Sequence, residues 1–301
     1  MSSTSKRIAL LQLCVLGVAA CATVNIDLPA VTETPTGARS PGKIIWRDLL
    51  TNDPQASQRF YGDLFGWTFE SVGGTSGLKS NGAYTLIRHN GELIGGMIDT
   101  VALNGRSDIS QWIVLMSVND IDAAVAKFPA AGGTIVAPPR NLQRRGTAAV
   151  VSDAEGALIG LLQTKDGDPA DVEPELGGFL WDELWTTDVK SAASLYETVA
   201  GLQTATLDVD DDQEAGANYR LLKAGETPRI GVMPSPLEGL NPVWVSYLRV
   251  ADPAAIAARV ADLGGRVIVE ARSRPLGGEV AFIAGPSGAG IALQTWPLEK
   301  N

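Results

Sequence analysis

The chain has 301 residues and a formal net charge of −10 at pH 7. Its composition is 45% hydrophobic and 19% charged, with 33 glycines and 17 prolines, which indicates a folded protein with many turns and excludes intrinsic disorder. Because so acidic a surface repels a phosphate backbone, we expect no binding to nucleic acid. The length suggests about two domains of ordinary size.

Residues 1–21 have the pattern of a signal peptide. Lys6 and Arg7 precede an apolar run over residues 8–20, which is too short to span a bilayer easily. The run ends in the sequence VAAC at Cys21, which resembles the lipobox of bacterial lipoproteins. This resemblance implies cleavage before Cys21, a lipid on Cys21 as the one membrane contact, and a place in the cell envelope facing the periplasm. Because Ala22 follows the cysteine, the outer membrane is expected in a Gram-negative host. An ordinary secretory signal cut nearby, or a buried helix, is the alternative.

Two segments have the composition of connections. Residues 22–42 are rich in proline, threonine, alanine and glycine without a sustained period, which predicts a flexible tether. Residues 166–177 are similar and predict a linker. The linker would separate a first domain over residues 43–165 from a second domain over residues 178–297.

The sequence of the first half predicts a strand, a helix and further strands, and this series of elements then occurs a second time within the same half. Asp53 is a helix N-cap with Pro54 at the first helical position, and the helical spacing of apolar residues stops at Gly66. Asn90-Gly91 predicts a type I′ hairpin, and a second helix is predicted over residues 121–131. The predicted strands lie near residues 44–50, 84–88, 93–97, 112–118, 134–137, 147–151 and 158–163.

The second half repeats the first. The string IIWRDLLTNDPQASQRFYGDLFGW, which begins at Ile44, matches FLWDELWTTDVKSAASLYETVAGL, which begins at Phe179. Trp46 and Trp181 are separated by 135 residues, as are Tyr61 and Tyr196. Similar matches follow to the end of each half, and a repeat of this extent indicates tandem domains.

Within this repeat, the fragments F-Y-G-D-L-F-G-W and V-N-D-I-D-A resemble the glyoxalase/bleomycin resistance/extradiol dioxygenase (vicinal oxygen chelate, VOC) superfamily, in its tandem-domain glyoxalase-like branch. The resemblance implies an α+β fold with two tandem VOC domains. Each would be a pair of βαβββ modules that form an eight-stranded, open, barrel-like sheet with the helices outside. The sheet would curve around one concave site.

The resemblance also implies where a divalent metal would bind, and the residues there do not suit one. The matching positions are Trp46, Ile113, Gly160, Trp181, Val245 and Ala292. None of these side chains is a metal ligand, since such sites use imidazole, thiolate or carboxylate groups. The single histidine, His89, adjoins the Asn90-Gly91 turn and is expected to be exposed. We therefore expect no metal and no other cofactor.

Strand alternation instead places aromatic and acidic side chains on the concave faces. Trp46 and Asp48 would face the first cavity, and Trp181, Glu183 and Trp185 the second. These five residues are the candidate ligand-binding residues. Asp48 and Glu183 are also candidate catalytic residues, because an acid beside apolar rings can act as an acid or base. The alternative is that the indoles fill a collapsed core.

Three functions remain open from the sequence. The first is an envelope-anchored protein that binds a small, partly aromatic or apolar molecule without a metal. The second is a VOC-type enzyme, such as a lyase, isomerase or dioxygenase, that uses a cavity carboxylate or an unrecognised metal site. The third is a structural or partner-binding lipoprotein. The second domain is expected to have the better site, because it has Trp185 where the first has Leu50. The ligand and the oligomeric state are not determined by the sequence.

Overall fold

The structure is a computed structural model that describes residues 28–72, 84–104, 109–206, 218–274 and 277–297. The signal segment and Cys21 lie outside the described residues. Within the described ranges, no helix is long and apolar enough to cross a membrane.

Within its described residues, the first half contains eight strands and three helices. The strands are β1 (Ile44–Thr51), β2 (Thr68–Ser71), β3 (Tyr84–His89), β4 (Glu92–Asp99), β5 (Gln111–Ser117), β6 (Thr134–Asn141), β7 (Gly146–Ser152) and β8 (Leu158–Thr164). The helices are α1 (Pro54–Phe65), α2 (Thr100–Asn104) and α3 (Ile121–Ala130), and a 3-10 turn covers Gln143–Arg145.

The second half repeats this order. Its strands are β9 (Phe179–Thr186), β10 (Gln203–Thr206), β11 (Arg220–Ala224), β12 (Thr227–Pro234), β13 (Val243–Arg249), β14 (Arg266–Ser273), β15 (Glu279–Ala284) and β16 (Gly290–Gln294). Its helices are α4 (Val189–Ala200) and α5 (Pro253–Val260).

Each half forms one open sheet of eight strands with the same topology. The strand order is β2-β3-β4-β1-β5-β8-β7-β6 in the first sheet and β10-β11-β12-β9-β13-β16-β15-β14 in the second. In each sheet the central pair is antiparallel, β1 with β5 and β9 with β13, and a parallel pair follows on either side. The predicted fold class, two tandem α+β domains with open eight-stranded sheets, is confirmed.

Helix α1 begins where the sequence predicts, and for the predicted reason, whereas the short α2 was not predicted. The Asp53 side chain accepts a hydrogen bond from the Ala56 amide at 2.9 Å, and Pro54 opens α1. Gly66 closes α1 with a φ of 71°, a conformation that favours glycine. Asp188 caps α4 through the Ser191 amide in the same way. These local signals fix the position of each helix against its sheet.

The two domains pack back to back through the faces that carry the helices. One shared core joins β5, β8 and α3 of the first domain to β9, β12 and α4 of the second. A second shared core joins α1 of the first domain to α5, β13, β15 and β16 of the second. At the centre, Arg47 forms a two-pronged ion pair with the buried Asp182. The packing therefore leaves both concave faces outside the domain interface.

The described part of the predicted tether, residues 28–42, packs against the first domain. Leu28 is 5% exposed and Val31 is 3% exposed, and both join the apolar cluster on the concave face of the first domain. Further along, the Thr36 amide donates to the Asp168 carbonyl at 3.0 Å. We call residues 28–34 the N-terminal strap. Composition shows that the segment has no regular period, but it does not show that a complementary surface lies nearby.

Candidate functional site

The concave face of the first domain carries a compact polar network. The Trp46 indole donates to Asp48 Oδ1 at 2.9 Å and to the Tyr84 hydroxyl at 3.1 Å. Tyr84 in turn donates to Asp48 Oδ1 at 2.7 Å, and Arg145 Nη1 donates to the Tyr84 oxygen at 2.8 Å. The Arg145 guanidinium lies 4.2 Å from the centre of the Trp46 ring. Four side chains from β1, β3 and the 3-10 turn are thereby held together.

Burial dominates the electrostatics of this network. It raises the pKa of the Asp48 carboxyl above its usual value, against the opposing effects of Arg145 and of the hydrogen bonds from Tyr84 and Trp46. Burial also raises the pKa of Tyr84. The phenol therefore stays protonated and can donate its hydrogen bond at any physiological pH.

The N-terminal strap covers this network. Leu28 and Val31 pack in the same cluster as Trp46 and Tyr84, and the Pro29 carbonyl accepts a hydrogen bond from Arg145 Nε at 3.1 Å. Trp46 is consequently 0% exposed. The candidate residues Trp46 and Asp48 do lie together on the concave face, but they are sealed from solvent.

The second domain builds a related network around Glu183, which is 0% exposed. Tyr219 donates to Glu183 Oε1 at 2.9 Å, and Arg274 Nη2 lies 2.5 Å from the same oxygen. Tyr247 donates to Oε2, which also receives the Trp185 indole at 3.4 Å. The Glu183 carboxylate thus accepts four hydrogen bonds. Burial raises the pKa of Tyr219 and Tyr247, so both phenols stay protonated as donors.

Arg274 is the counter-ion of this site. Its side chain is 11% exposed, and it bridges Glu183 and the buried Gln294, whose side-chain oxygen lies 2.5 Å from Nη1. Burial disfavours the guanidinium charge, but Glu183 and the two tyrosines outweigh this effect and raise the pKa of Arg274. The cation is therefore permanent and is fixed in position.

The first-strand indole of the second concave face is less buried than that of the first. Trp181 donates its indole hydrogen to the Tyr219 oxygen at 3.0 Å and remains partly exposed, unlike its repeat counterpart Trp46. Trp185 is buried 5.1 Å from the Phe282 ring. Several apolar side chains of this face are also only partly buried: Leu180, Met233, Leu237, Val243, Val280 and Phe282.

A glycine at the same point of each repeat makes room for the tyrosine and the acid. A Cβ on Gly231 would lie 2.1 Å from the Tyr219 hydroxyl oxygen and 2.9 Å from Glu183 Cγ. A Cβ on Gly96 would lie 2.1 Å from the Tyr84 hydroxyl oxygen and 2.3 Å from Asp48 Oδ1. Both networks therefore require glycine where β4 and β12 pass behind them.

Neither concave face fits a resident metal ion. Each polar network contains one carboxylate, Asp48 or Glu183, and hydrogen-bond donors already surround it. Among the described residues, no group of three histidine, cysteine, aspartate or glutamate side chains is arranged to hold a metal. The aligned ligand positions carry indole, aliphatic or glycine groups instead, at Trp46, Ile113, Gly160, Trp181, Val245 and Ala292.

The expectation that His89 is an exposed turn residue is wrong. His89 ends β3 and is only 8% exposed, because the backbone around Gly177 of the linker lies against it. Burial lowers the pKa of His89, with Glu175 acting in the opposite direction. The imidazole packs against the linker at Gly177.

The structure brings the candidate residues together but also reveals partners that the sequence analysis missed. These are Tyr84, Arg145, Tyr219, Tyr247, Arg274 and Gln294. Tyr84 and Tyr219 could have been found, because they occupy the same position of the repeat. The repeat gives no such signal for Tyr247, because Leu115 stands at its position in the first domain.

Comparisons with known proteins agree with this architecture. The sequence model of the Glyoxalase/Bleomycin resistance protein/Dioxygenase superfamily matches residues 43–161. The chain is 34% identical over 246 residues to "Putative glyoxylase CFP32" of Mycobacterium tuberculosis, covering 81% of this chain and 91% of the relative. It is 30% identical over 268 residues to the anthracycline biosynthesis protein DauV of a Streptomyces species, covering 84% and 93%.

The fold is also similar to that of a solved structure, the Mn(II)-bound glyoxalase from Novosphingobium aromaticivorans. The TM-score is 0.57 at 16% identity, over 86% of this chain and 83% of that one. The sequence relationship, the repeat and the two matching sheets lead to one assignment. This chain belongs to the Glyoxalase/Bleomycin resistance protein/Dioxygenase superfamily and carries two tandem glyoxalase-like domains.

Proposed function

We propose that this protein is a glyoxalase-like protein of the cell envelope that binds a small, partly aromatic or apolar molecule on the concave face of its second domain, without a metal ion. The observation that carries the proposal is the partly exposed Trp181 beside the buried Glu183–Arg274 pair. An accessible indole next to a fixed cation offers stacking area and one directional polar contact, which is the usual composition of a small-ligand pocket.

The lining of this face defines the kind of ligand. Partly buried aliphatic and aromatic side chains surround Trp181, so contact with an apolar molecule would remove them from water. Arg274 is the charged group nearest to solvent in the network, and it favours a ligand with an oxygen acceptor. A planar molecule with one carbonyl, phenolate or carboxylate oxygen meets both requirements.

The contacts of Glu183 favour binding over base catalysis by this residue. A general base needs a free lone pair directed at its substrate. Both oxygens of Glu183 already accept two hydrogen bonds each, and the side chain is fully buried. In the proposed site, Glu183 is a positioning residue that holds Arg274 and the two tyrosines in place.

The names of the relatives are compatible with a small-molecule ligand and keep a second function open. DauV is named as an anthracycline biosynthesis protein. CFP32 is named as a glyoxylase, which supports an enzyme as the second candidate. That enzyme would need either Asp48 or Glu183 as its acid or base, or a metal site of another composition.

The binding proposal is tested by removing the exposed indole. Compounds of the planar aromatic carboxylate and phenol classes are screened by thermal shift, and affinities of the best ligand are measured by calorimetry. Trp181→Leu should weaken binding about tenfold, since a stacked indole contributes roughly 1.5 kcal/mol. Trp46→Leu is the matched control at the sealed position and should leave the affinity unchanged. Equal losses in both variants, or turnover that depends on added manganese, would contradict the proposal.

The envelope location is proposed from the sequence around Cys21 and is tested separately. In the native host, the parent protein should sediment with membranes. Cys21→Ser should move it to the soluble fraction, because one lipid-bearing cysteine is the expected anchor. If the variant stays with the membranes, the lipoprotein assignment is wrong, and the binding proposal is unaffected.

A further inference from the structure

The N-terminal strap occupies the first domain as a ligand would. Leu28 and Val31 project two aliphatic side chains into the concave cluster that contains Trp46, Tyr84 and Leu115. The strap leaves the face at Glu33, whose carboxylate lies 3.0 Å from Arg88 Nη1 at the end of β3. The contact is therefore anchored by apolar groups inside the face and by an ion pair at its edge.

The strap also provides a hydrogen-bond acceptor for the buried Arg145, but it does not pair every N–H group of the guanidinium. The Pro29 carbonyl accepts from Arg145 Nε, while Arg145 Nη1 is used by Tyr84. Among the described residues, the buried Arg145 Nη2 has no hydrogen-bond partner. Nε and Nη2 form one edge of the guanidinium, as Arg39 illustrates by directing both atoms at the Thr164 carbonyl. A carboxylate, which has two oxygens, would engage this edge more completely than a single carbonyl does.

The internal repeat provides the comparison. In the second domain, the described members of the corresponding apolar cluster all come from residues 180–292. Trp181 is partly exposed there, whereas Trp46 at the same repeat position is fully buried. The difference between the two faces therefore coincides with the presence of the strap on one of them.

We propose that the concave face of the first domain is a second binding site, which the chain's own N-terminal strap occupies in cis. Displacing the strap would open it to an apolar or aromatic carboxylate, whose two oxygens bind the Nε and Nη2 edge of Arg145. The ligand class extends the proposed function of the second domain, but the occupation by the strap stands on contacts in the first domain alone. The strap starts seven residues after Cys21, so the proposed membrane anchor and the blocked site are close in the chain.

The test counts binding sites for one probe, naphthalene-2-carboxylate, on the full-length chain. Parent protein should bind one molecule, and the double variant Leu28→Asp with Val31→Asp should bind two, by isothermal titration. The control carries the same added charge on exposed strap and post-strap positions, Thr34→Asp with Ala38→Asp, and should bind one. Adding Arg145→Gln to the opened variant should weaken the new site at least tenfold.

The outcomes separate this inference from the proposed function. If the parent binds none and the opened variant binds one, the second-domain proposal fails and the strap inference stands. If the parent and the opened variant both bind one molecule, at a site sensitive to Trp181→Leu, the strap inference is overturned. Should the charged variant unfold by circular dichroism, Leu28→Ala with Val31→Ala replaces it. A synthetic peptide of residues 28–34 should then displace the probe from the opened site, and failure to compete would also overturn the inference.

Discussion

The substitution Glu183→Gln tests the central network of the second domain, because it removes one charge and almost no volume. The Glu183 carboxylate is fully buried and pairs with Arg274, so its loss leaves a cation without its counter-ion. Removing one partner of a buried ion pair costs about 3–5 kcal/mol. Since the Arg274 side chain is 11% exposed, water can solvate it in part, and we expect the lower end, ~3 kcal/mol.

The matched substitution in the first domain should cost less. Asp48 meets Arg145 through the hydroxyl of Tyr84, which accepts from the arginine and donates to the acid. Burial raises the pKa of Asp48, so its charged form is already disfavoured and a neutral amide removes an unfavourable charge. We expect Asp48→Asn to cost about 1 kcal/mol, the typical value of one altered hydrogen bond.

Urea denaturation followed by circular dichroism measures both free energies of unfolding. A double-mutant cycle with Arg274→Met identifies the cause of the larger loss. If the unpaired cation causes it, the double variant should recover at least about 1 kcal/mol relative to Glu183→Gln alone. The reasoning is refuted if Glu183→Gln costs no more than Asp48→Asn, or if Arg274→Met adds its own full penalty to the double variant.

Three further predictions follow from the same contacts. Gly231→Ala should destabilise the protein by about 1–3 kcal/mol, because the added Cβ would overlap Tyr219. The control Gly62→Ala, whose Cβ has room, should cost less. Equal losses of stability in urea unfolding would argue against crowding as the cause. Because the folded pKa of Asp48 is raised, the parent should lose stability relative to Asp48→Asn as pH rises above about 4, the ordinary pKa of an aspartate, and a constant difference would contradict this. Elemental analysis of the dialysed protein should find far less than one manganese, iron, nickel or zinc per chain, and about one per chain would overturn the metal-free site.

Much of the fold could be predicted because its signals are local or periodic. The caps at Asp53 and Asp188 and the glycines that end the two helices depend on neighbours in the chain. The repeat added long-range information, since equal spacing of Trp46 and Trp181 implies equal places in two copies of one fold. Strand alternation then put the acids on the same face as the indoles, which the hydrogen bonds of the structure bear out.

The partners of those acids depended on the tertiary structure. Arg145 and Arg274 reach the networks from the connections that follow β6 and β14, and they are 129 residues apart, whereas Ile113 and Val245 in the same modules are 132 apart. Tyr247 enters from β13 through strand register, which no local signal specifies. Contacts between side chains distant in sequence are set by how the modules curve around one cavity, and no pattern in the chain encodes that curvature.

The sequence by itself determined two tandem domains with unsuitable residues at the aligned metal positions. Only the tertiary structure decided that the two concave faces differ. Leu28 and Val31 stand in a segment without helical or strand periodicity, so nothing local distinguishes them from solvent-exposed residues. They are buried because the face formed by β1, β3, β5 and β8 matches their shape and offers Arg145 as a donor to the strap backbone. Such complementarity between a short segment and a distant surface exists only after the chain has folded.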